Sequence, residues 1–214
     1  MADAKVMIAV PCLNDVPTKF MLSLMALDHY RIKGVDLNVV VVEDSMTYTA
    51  RTQLADMALR DNYDFMLWID SDMVFPPDML YRFLLAKKEM VTGLYFQRRG
   101  EHKPVIYRSC NALEVKEDDR TIHAEVYTDY PKDQLFQVAA CGFGAVLMHT
   151  EAIRRVARGF DGNVFDPLLG AGEDLSFCAR YAAVGGEIWC DPTIKLGHIG
   201  RTIFYEEDWK CKES

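Results

Sequence analysis

The chain is short of positive charge. Its 214 residues include 24 Lys and Arg against 32 Asp and Glu, which gives a formal net charge of −8. Such an acidic chain repels polyanions, so nucleic acid and anionic membrane surfaces are not expected partners. A substrate that carries phosphate would need local positive charge to offset this field, and a bound metal ion would supply it.

The sequence also lacks cysteine pairs with the spacing of metal ligands, and it lacks long apolar runs. The six cysteines include no C-x-x-C pair, so a structural zinc site is not expected. No stretch approaches the ~20 apolar residues of a membrane span, and the N-terminus carries no long apolar h-region. We therefore predict a cytoplasmic protein without a membrane span. A viral protein made in a host cytoplasm would show the same composition.

The first half of the chain alternates between β-branched apolar runs and segments of helical periodicity. The predicted strands and helices are, in chain order, 5–11, 17–33, 36–44, 48–61, 65–72 and 79–88. This alternation predicts parallel βαβ units up to about residue 95.

The second half has a mixed pattern, with strands that are not separated by helices. The predicted elements include strands at 91–96, 104–109, 136–149 and 187–190, helices at 150–158 and 173–184, and a flexible loop at 197–200. No repeat, low-complexity segment or linker divides the chain. We expect one α/β domain over 1–214, with a parallel N-terminal half and a mixed C-terminal half.

One stretch combines a buried strand with polar chemistry. The apolar run at 65–69 (FMLWI) leads directly into Asp70-Ser71-Asp72. Ligands of open α/β sheets bind where such strands end. Two acids at positions i and i+2 of an extended segment point the same way, close enough to share Mg²⁺ or Mn²⁺. The alternative is that the two acids only solvate a turn.

The segment WIDSDM at 68–73 resembles the D-x-D motif of GT-A-fold glycosyltransferases near glycosyltransferase family 2. Three further features agree in order and spacing: the first strand ending at Pro11, the segment CGFGA at 141–145, and GED at 172–174 followed by GH at 197–198. The resemblance covers nearly the whole chain. It implies a GT-A-like mixed sheet flanked by helices, with a nucleotide-binding half over 1–95 and an acceptor-binding half over 96–214.

The same resemblance implies roles at the metal and the catalytic centre. Asp72 would bind Mn²⁺ or Mg²⁺ directly, Asp70 would hold ribose hydroxyls or metal-bound water, and His198 would complete the metal site. Asp174 would take the proton from the acceptor hydroxyl, with Glu173 beside it. The alternative for these last two acids is that they only complement the helix dipole.

The nucleoside contacts are expected at the same edge of the sheet. Pro11 matches the base-binding position by its place, and Ser71 belongs to the donor-binding motif. Asp44, which ends the second predicted strand, could accept from the N3–H of a uracil-like base. Arg51, one turn into the next helix, could reach the base or a phosphate.

Gly142-Phe143-Gly144 interrupts a predicted strand. The resemblance implies that its backbone amides approach the donor sugar closely. A β-bulge would produce the same glycine pattern without any ligand.

Together these expectations describe a metal-dependent glycosyltransferase. It would move a sugar from a nucleoside-diphosphate sugar, UDP-linked by preference, to a hydroxyl of a glycan or glycoprotein acceptor, with inversion. A first alternative is a haloacid-dehalogenase-type phosphatase with Asp70 as its nucleophile, since DSDMV at 70–74 also resembles that motif. Two strand–helix units precede the motif here, whereas it normally ends the first strand. A second alternative is a non-catalytic nucleotide- or carbohydrate-binding module.

Overall fold

The structure is a computed structural model that describes residues 4–43, 45–98, 100–113, 123–200 and 203–206. In this part of the chain strands and helices alternate up to β5, except that the short β4 follows β3 directly, and the pattern is mixed thereafter. They are, in chain order, β1 (Ala4–Pro11), α1 (Thr18–His29), β2 (Val35–Val42), α2 (Thr47–Arg60), β3 (Phe65–Ile69), β4 (Met73–Val74), α3 (Met79–Leu85), β5 (Met90–Leu94), β6 (Ile106–Cys110), β7 (Ala124–Val126), β8 (Phe136–Val138), β9 (Ala140–Cys141), β10 (Ala145–His149), α4 (Thr150–Gly159), α5 (Glu173–Ala183), β11 (Ile188–Lys195), β12 (Gly197–Ile199) and β13 (Ile203–Phe204).

Seven strands form the central sheet, in the order β2-β1-β3-β10-β5-β11-β8. β1 runs parallel to β2 and β3, and β5 runs parallel to β11. β10 is antiparallel to both of its neighbours, β3 and β5, and β8 is antiparallel to β11. The strands that the first half contributes to the central sheet, β1, β2, β3 and β5, therefore all run in the same direction. This arrangement confirms the prediction of an α/β domain with a mixed sheet flanked by helices.

The core lies on both faces of the sheet, which explains the continuous apolar run of β3. Met66 and Trp68 face the layer that contains α2, α4 and α5. Leu67 and Ile69 face the layer that contains α1 and α3. All four side chains are fully buried, as a strand covered by helices on both sides requires.

Two three-stranded sheets lie outside the central one, in the orders β13-β12-β4 and β7-β6-β9. In the first, His198 is paired with Met73 and Gly197 with Val74. The prediction of a flexible loop at 197–200 is therefore wrong for its first three residues. They form a strand because β4 supplies backbone partners, and the Ile199 N–H also donates to the Asp72 carbonyl at 2.7 Å.

Two boundaries also differ from the sequence prediction. The predicted strand at 136–149 is divided into β8, β9 and β10, which belong to two different sheets. The last predicted strand, 187–190, continues to Lys195 as β11, because pairing with β5 and β8 outweighs the local effect of Pro192. Neither change moves the edge of the sheet at which the predicted site lies.

The described residues contain no helix that is long and apolar enough to cross a membrane. Five cysteines are free thiols, and they are Cys12, Cys110, Cys141, Cys178 and Cys190. Cys211 lies outside the described residues.

Candidate functional site

The acidic motif lies in a turn, not in an extended strand. β3 ends at Ile69, and the Asp70 carbonyl accepts a hydrogen bond from the Met73 N–H at 3.2 Å. The expectation that the strand continues to Asp72 is wrong, because the chain turns to pair β4 with β12. Asp70 and Asp72 consequently have different partners, and Ser71 lies half-buried between them.

A buried arginine holds Asp70. Arg51 of α2 donates from Nη2 to Asp70 Oδ1 at 2.7 Å and from Nε to Glu173 Oε1 at 3.2 Å. Only 2% of the Arg51 side-chain surface is exposed. Its guanidinium lies 5.0 Å from the ring centre of Phe143 and 5.5 Å from that of Trp68. Arg51 therefore links the turn after β3 to the first residue of α5.

Burial and charge act against each other in this ion pair. Burial raises the pKa of Asp70, although a third of its side-chain surface remains exposed, and the charge of Arg51 opposes that rise. Burial alone would lower the pKa of Arg51, but the charges of Asp70 and Glu173 outweigh it and the pKa is raised. The arginine therefore stays charged, and the cost of burial appears in the raised pKa of Asp70.

Asp174 begins α5 beside Glu173. Burial raises the pKa of Asp174 to about 6, and the negative charge of Glu173 adds to the rise. The Leu175 N–H donates to Asp174 Oδ1 at 2.7 Å and opposes the shift, as does the charge of Arg51. An acid that merely complements a helix dipole would have a lowered pKa. A carboxylate with a pKa close to neutral is instead suited to accept a proton from a substrate.

Asp72 faces His198 on β12. The two side chains approach to 3.4 Å between His198 Nε2 and Asp72 Oδ2. The carbonyl of Phe96 lies 2.9 Å from His198 Nδ1, and because a carbonyl can only accept, Nδ1 carries the proton. This hydrogen bond to the Phe96 carbonyl orients Nε2 towards the carboxylate, as in most metal-binding histidines.

Arg98 contacts the same carboxylate oxygen. Its Nη1 donates to Asp72 Oδ2 and also to the Ile199 carbonyl, the latter at 3.3 Å. Burial would raise the pKa of Asp72, but the hydrogen bond from His198 and the charges of His198 and Arg98 outweigh it and lower the pKa. Burial would lower the pKa of His198, but Asp72 and the Phe96 carbonyl raise it. Asp72 is therefore an ionised, cation-binding carboxylate.

Asp72 and His198 fit a metal ion that binds together with a phosphate ligand. Among the residues that the structure describes, no three His, Cys, Asp or Glu side chains form a ready metal-binding group. Mg²⁺ and Mn²⁺ commonly take one or two carboxylates and fill their other positions with water and substrate phosphates. Two protein ligands therefore suffice for a metal ion that also binds a substrate phosphate, but not for a metal ion held by the protein alone.

A pocket of 360 Å³ opens beside this pair, and it is lined by Tyr95, Gln97, Arg98, Val105 and His198. Its volume is within the range of small-molecule sites. A larger pocket, of 760 Å³, lies at the amino-terminal end of β3 and includes none of the predicted site residues.

Gly142 and Gly144 leave room for a side chain of the protein. A Cβ at Gly142 would lie 2.0 Å from Tyr95 Oη, and one at Gly144 would lie 2.8 Å from Tyr95 Cζ. The Gly144 N–H donates to Tyr95 Oη at 3.3 Å. Phe143, between them, is 1% exposed and packs in the core. These contacts explain the glycines without a ligand, and the approach of their backbone to a donor sugar stays a prediction.

The predicted nucleoside contacts are only partly brought together. Ala9 is paired with Trp68, so Pro11 and Asp70 leave neighbouring strands at the same edge. Arg51 points inward to its two carboxylates. Asp44 lies outside the described residues.

Arg98 and Tyr95 were not singled out by the sequence analysis. The available signal was the pair Arg98-Arg99, two adjacent cations in an acidic chain, directly after the predicted strand at 91–96. Because that strand is parallel to β3, its end lies at the same edge of the sheet as Asp70.

Comparison with known proteins supports the fold alone. No protein family and no curated protein matches the sequence. A solved structure, the crystal structure of A197 from STIV, is similar over 99% of this chain and 98% of that chain, with a TM-score of 0.61 and 15% sequence identity. The two chains therefore share an α/β fold over essentially their whole lengths.

Proposed function

We propose that the protein is a metal-dependent glycosyltransferase with a GT-A-like fold. It would transfer a sugar from a nucleoside-diphosphate sugar, UDP-linked by preference, to a hydroxyl of a glycan or glycoprotein, with inversion. The observation that carries the proposal is a convergence of residues from distant parts of the chain. They are Asp70, Asp72, Glu173, Asp174 and His198, and they surround the turn after β3. A parallel first half and a mixed second half also agree with this fold.

The donor end of the site would be Asp72 and His198. Their carboxylate and imidazole would hold Mn²⁺ or Mg²⁺, and the cation would neutralise the diphosphate as it leaves. The Phe96 carbonyl fixes the imidazole by accepting from Nδ1 at 2.9 Å, so the metal-binding nitrogen is oriented before any ligand arrives.

The acceptor end would be Asp174. A sugar hydroxyl is a poor nucleophile at neutral pH, and Asp174 would remove its proton as the oxygen attacks the anomeric carbon. The bond from that carbon to the diphosphate breaks in the same step, and the diphosphate leaves with the bonding electrons. A pKa of about 6 leaves Asp174 mostly ionised at pH 7 yet basic enough to accept a proton.

The test is a thermal-shift measurement with UDP, GDP, dTDP and CMP, each with and without Mn²⁺. UDP with Mn²⁺ should raise the melting temperature most, because a ligand at 100 times its dissociation constant stabilises the folded state by about 2.7 kcal/mol. Asp72→Asn should lose the metal-dependent part of the shift and all transfer. Asp56→Asn, which removes a carboxylate exposed on α2, is the matched control. An unchanged nucleotide shift in EDTA would contradict the proposal.

The two alternatives have distinct signatures. A phosphatase would release phosphate from an aryl phosphate without any nucleotide, but its nucleophile, Asp70, is already hydrogen-bonded to the buried Arg51. A binding module would bind UDP equally well after Asp174→Ala and would show no transfer with either protein.

A further inference from the structure

Asp72 already has a cation beside it. The Arg98 guanidinium donates to Oδ2, which is also the oxygen that His198 Nε2 faces at 3.4 Å. It donates in addition to the Ile199 carbonyl at 3.3 Å. The protein's own cation therefore uses the carboxylate oxygen that a metal ion would need.

We propose that Arg98 and a divalent cation compete for Asp72, and that Arg98, once released, binds the diphosphate of the donor. The proposal rests on the proposed function, since it names a further donor-binding residue of the same site. It makes the binding of metal and nucleotide cooperative, because the metal displaces Arg98 and the diphosphate gives Arg98 a new partner.

The exposure of Arg98 makes the exchange feasible. Its side chain is 40% exposed, whereas that of Arg51, the other arginine of the site, is 2% exposed. The Asp72 side chain is 25% exposed, so the pair is partly open to water, and such pairs contribute less stability than fully buried ones. Removing one partner of a buried pair is strongly destabilising, because it leaves a buried charge uncompensated. A divalent cation is therefore expected to displace the arginine at Asp72 and not the arginine at Asp70.

The surroundings of Arg98 suit a diphosphate. Arg98 follows β5 and lines the pocket of 360 Å³ together with Gln97, Tyr95 and His198. Its planar guanidinium can form two parallel hydrogen bonds to phosphate oxygens. In a chain with a net charge of −8, this cation at the pocket wall would offset the field that opposes an anionic ligand.

The experiment measures the binding of Mn²⁺ alone, and then of UDP at saturating Mn²⁺, by calorimetry. Arg98→Gln should bind Mn²⁺ alone about tenfold more tightly and UDP about tenfold more weakly, a coupling of ordinary size for two linked sites. Arg98→Lys should keep the weak Mn²⁺ binding, because it keeps the competing charge. Arg60→Gln, which removes an arginine that is 70% exposed at the end of α2, is the control for net charge.

Each outcome bears on a different statement. If the wild type binds Mn²⁺ and Arg98→Gln binds it no more tightly, competition is refuted while the proposed function stands. Tighter Mn²⁺ binding with unchanged UDP affinity would refute the diphosphate contact. If neither protein binds Mn²⁺, with or without UDP, the metal-dependent function fails and this inference fails with it.

Discussion

Replacing Asp174 by Asn should stabilise the protein at neutral pH. The folded-state pKa of about 6 lies about two units above the ordinary value of 3.8. The folded chain thus binds this proton more tightly than the unfolded chain, and ionisation of Asp174 costs free energy of folding. Two units correspond to about 3 kcal/mol, because one unit is 1.36 kcal/mol. Residual solvent exposure reduces this figure, so we expect a gain of about 1–3 kcal/mol.

The pH dependence identifies the cause. Below pH 3.8 the carboxyl is protonated in both states and carries no penalty, whereas above pH 6 it is ionised in both and the full penalty applies. The advantage of Asp174→Asn should therefore be about a third of its maximum at pH 4.5 and be close to that maximum at pH 7.5. The asparagine Oδ1 can still accept from the Leu175 N–H, so that contact is preserved.

Urea unfolding at pH 4.5, 6.0 and 7.5 is the assay, with Asp56→Asn as an exposed control that should stay within about 0.5 kcal/mol at every pH. If Asp174→Asn lowered the stability at pH 7.5, or changed it equally at all three values, burial would not be the origin of the raised pKa. The measurement does not depend on catalysis. A gain in stability together with a loss of turnover would show that Asp174 is kept for function at a cost in stability.

Two further predictions concern the packing around the site. Arg51→Met should destabilise the protein by about 3–5 kcal/mol at pH 7, because it leaves Asp70 and Glu173 without their buried counter-ion. Arg51→Lys should not restore the hydrogen bonds to both carboxylates. An unchanged melting temperature for Arg51→Met would contradict this. Gly142→Ala should destabilise by about 1–3 kcal/mol, since its Cβ would meet Tyr95 Oη. Tyr95→Phe in the same chain should recover part of that loss, and strictly additive effects in the double mutant would refute the clash.

The elements that local pattern determines could be predicted from the sequence. β3 was predicted because an apolar run without alternation requires cover on both faces, and Leu67 and Trp68 do pack into opposite layers. α5 begins at Glu173, as predicted, because Gly172 precedes a continuous helical stretch with acids in its first turn. Each of these features depends on residues within one turn or one strand of each other.

Features that depend on distant partners could not be predicted. β12 has the glycine content of a loop and becomes a strand because β4 and β13 pair with it on its two sides. Arg51 was expected at the nucleotide, and its inward position depends on Glu173, which is 122 residues away in sequence. The sequence therefore indicated the acids that come together at this turn, but not that Arg51 and Arg98 pair with them.

The two arginines divide the acidic site into a permanent part and an exchangeable part. Arg51 is buried against Asp70 and Glu173, and its removal would leave two partly buried carboxylates without their counter-ion, so we expect its displacement to destabilise the fold. Arg98 is exposed on Asp72, and water or a ligand can take its place at little cost. We therefore expect a cationic ligand to bind at Asp72, and an anionic ligand to contact Arg98 after the cation has displaced it. Under the proposed function, this asymmetry predicts an order of binding in which the divalent cation would bind at Asp72 before Arg98 contacts the diphosphate.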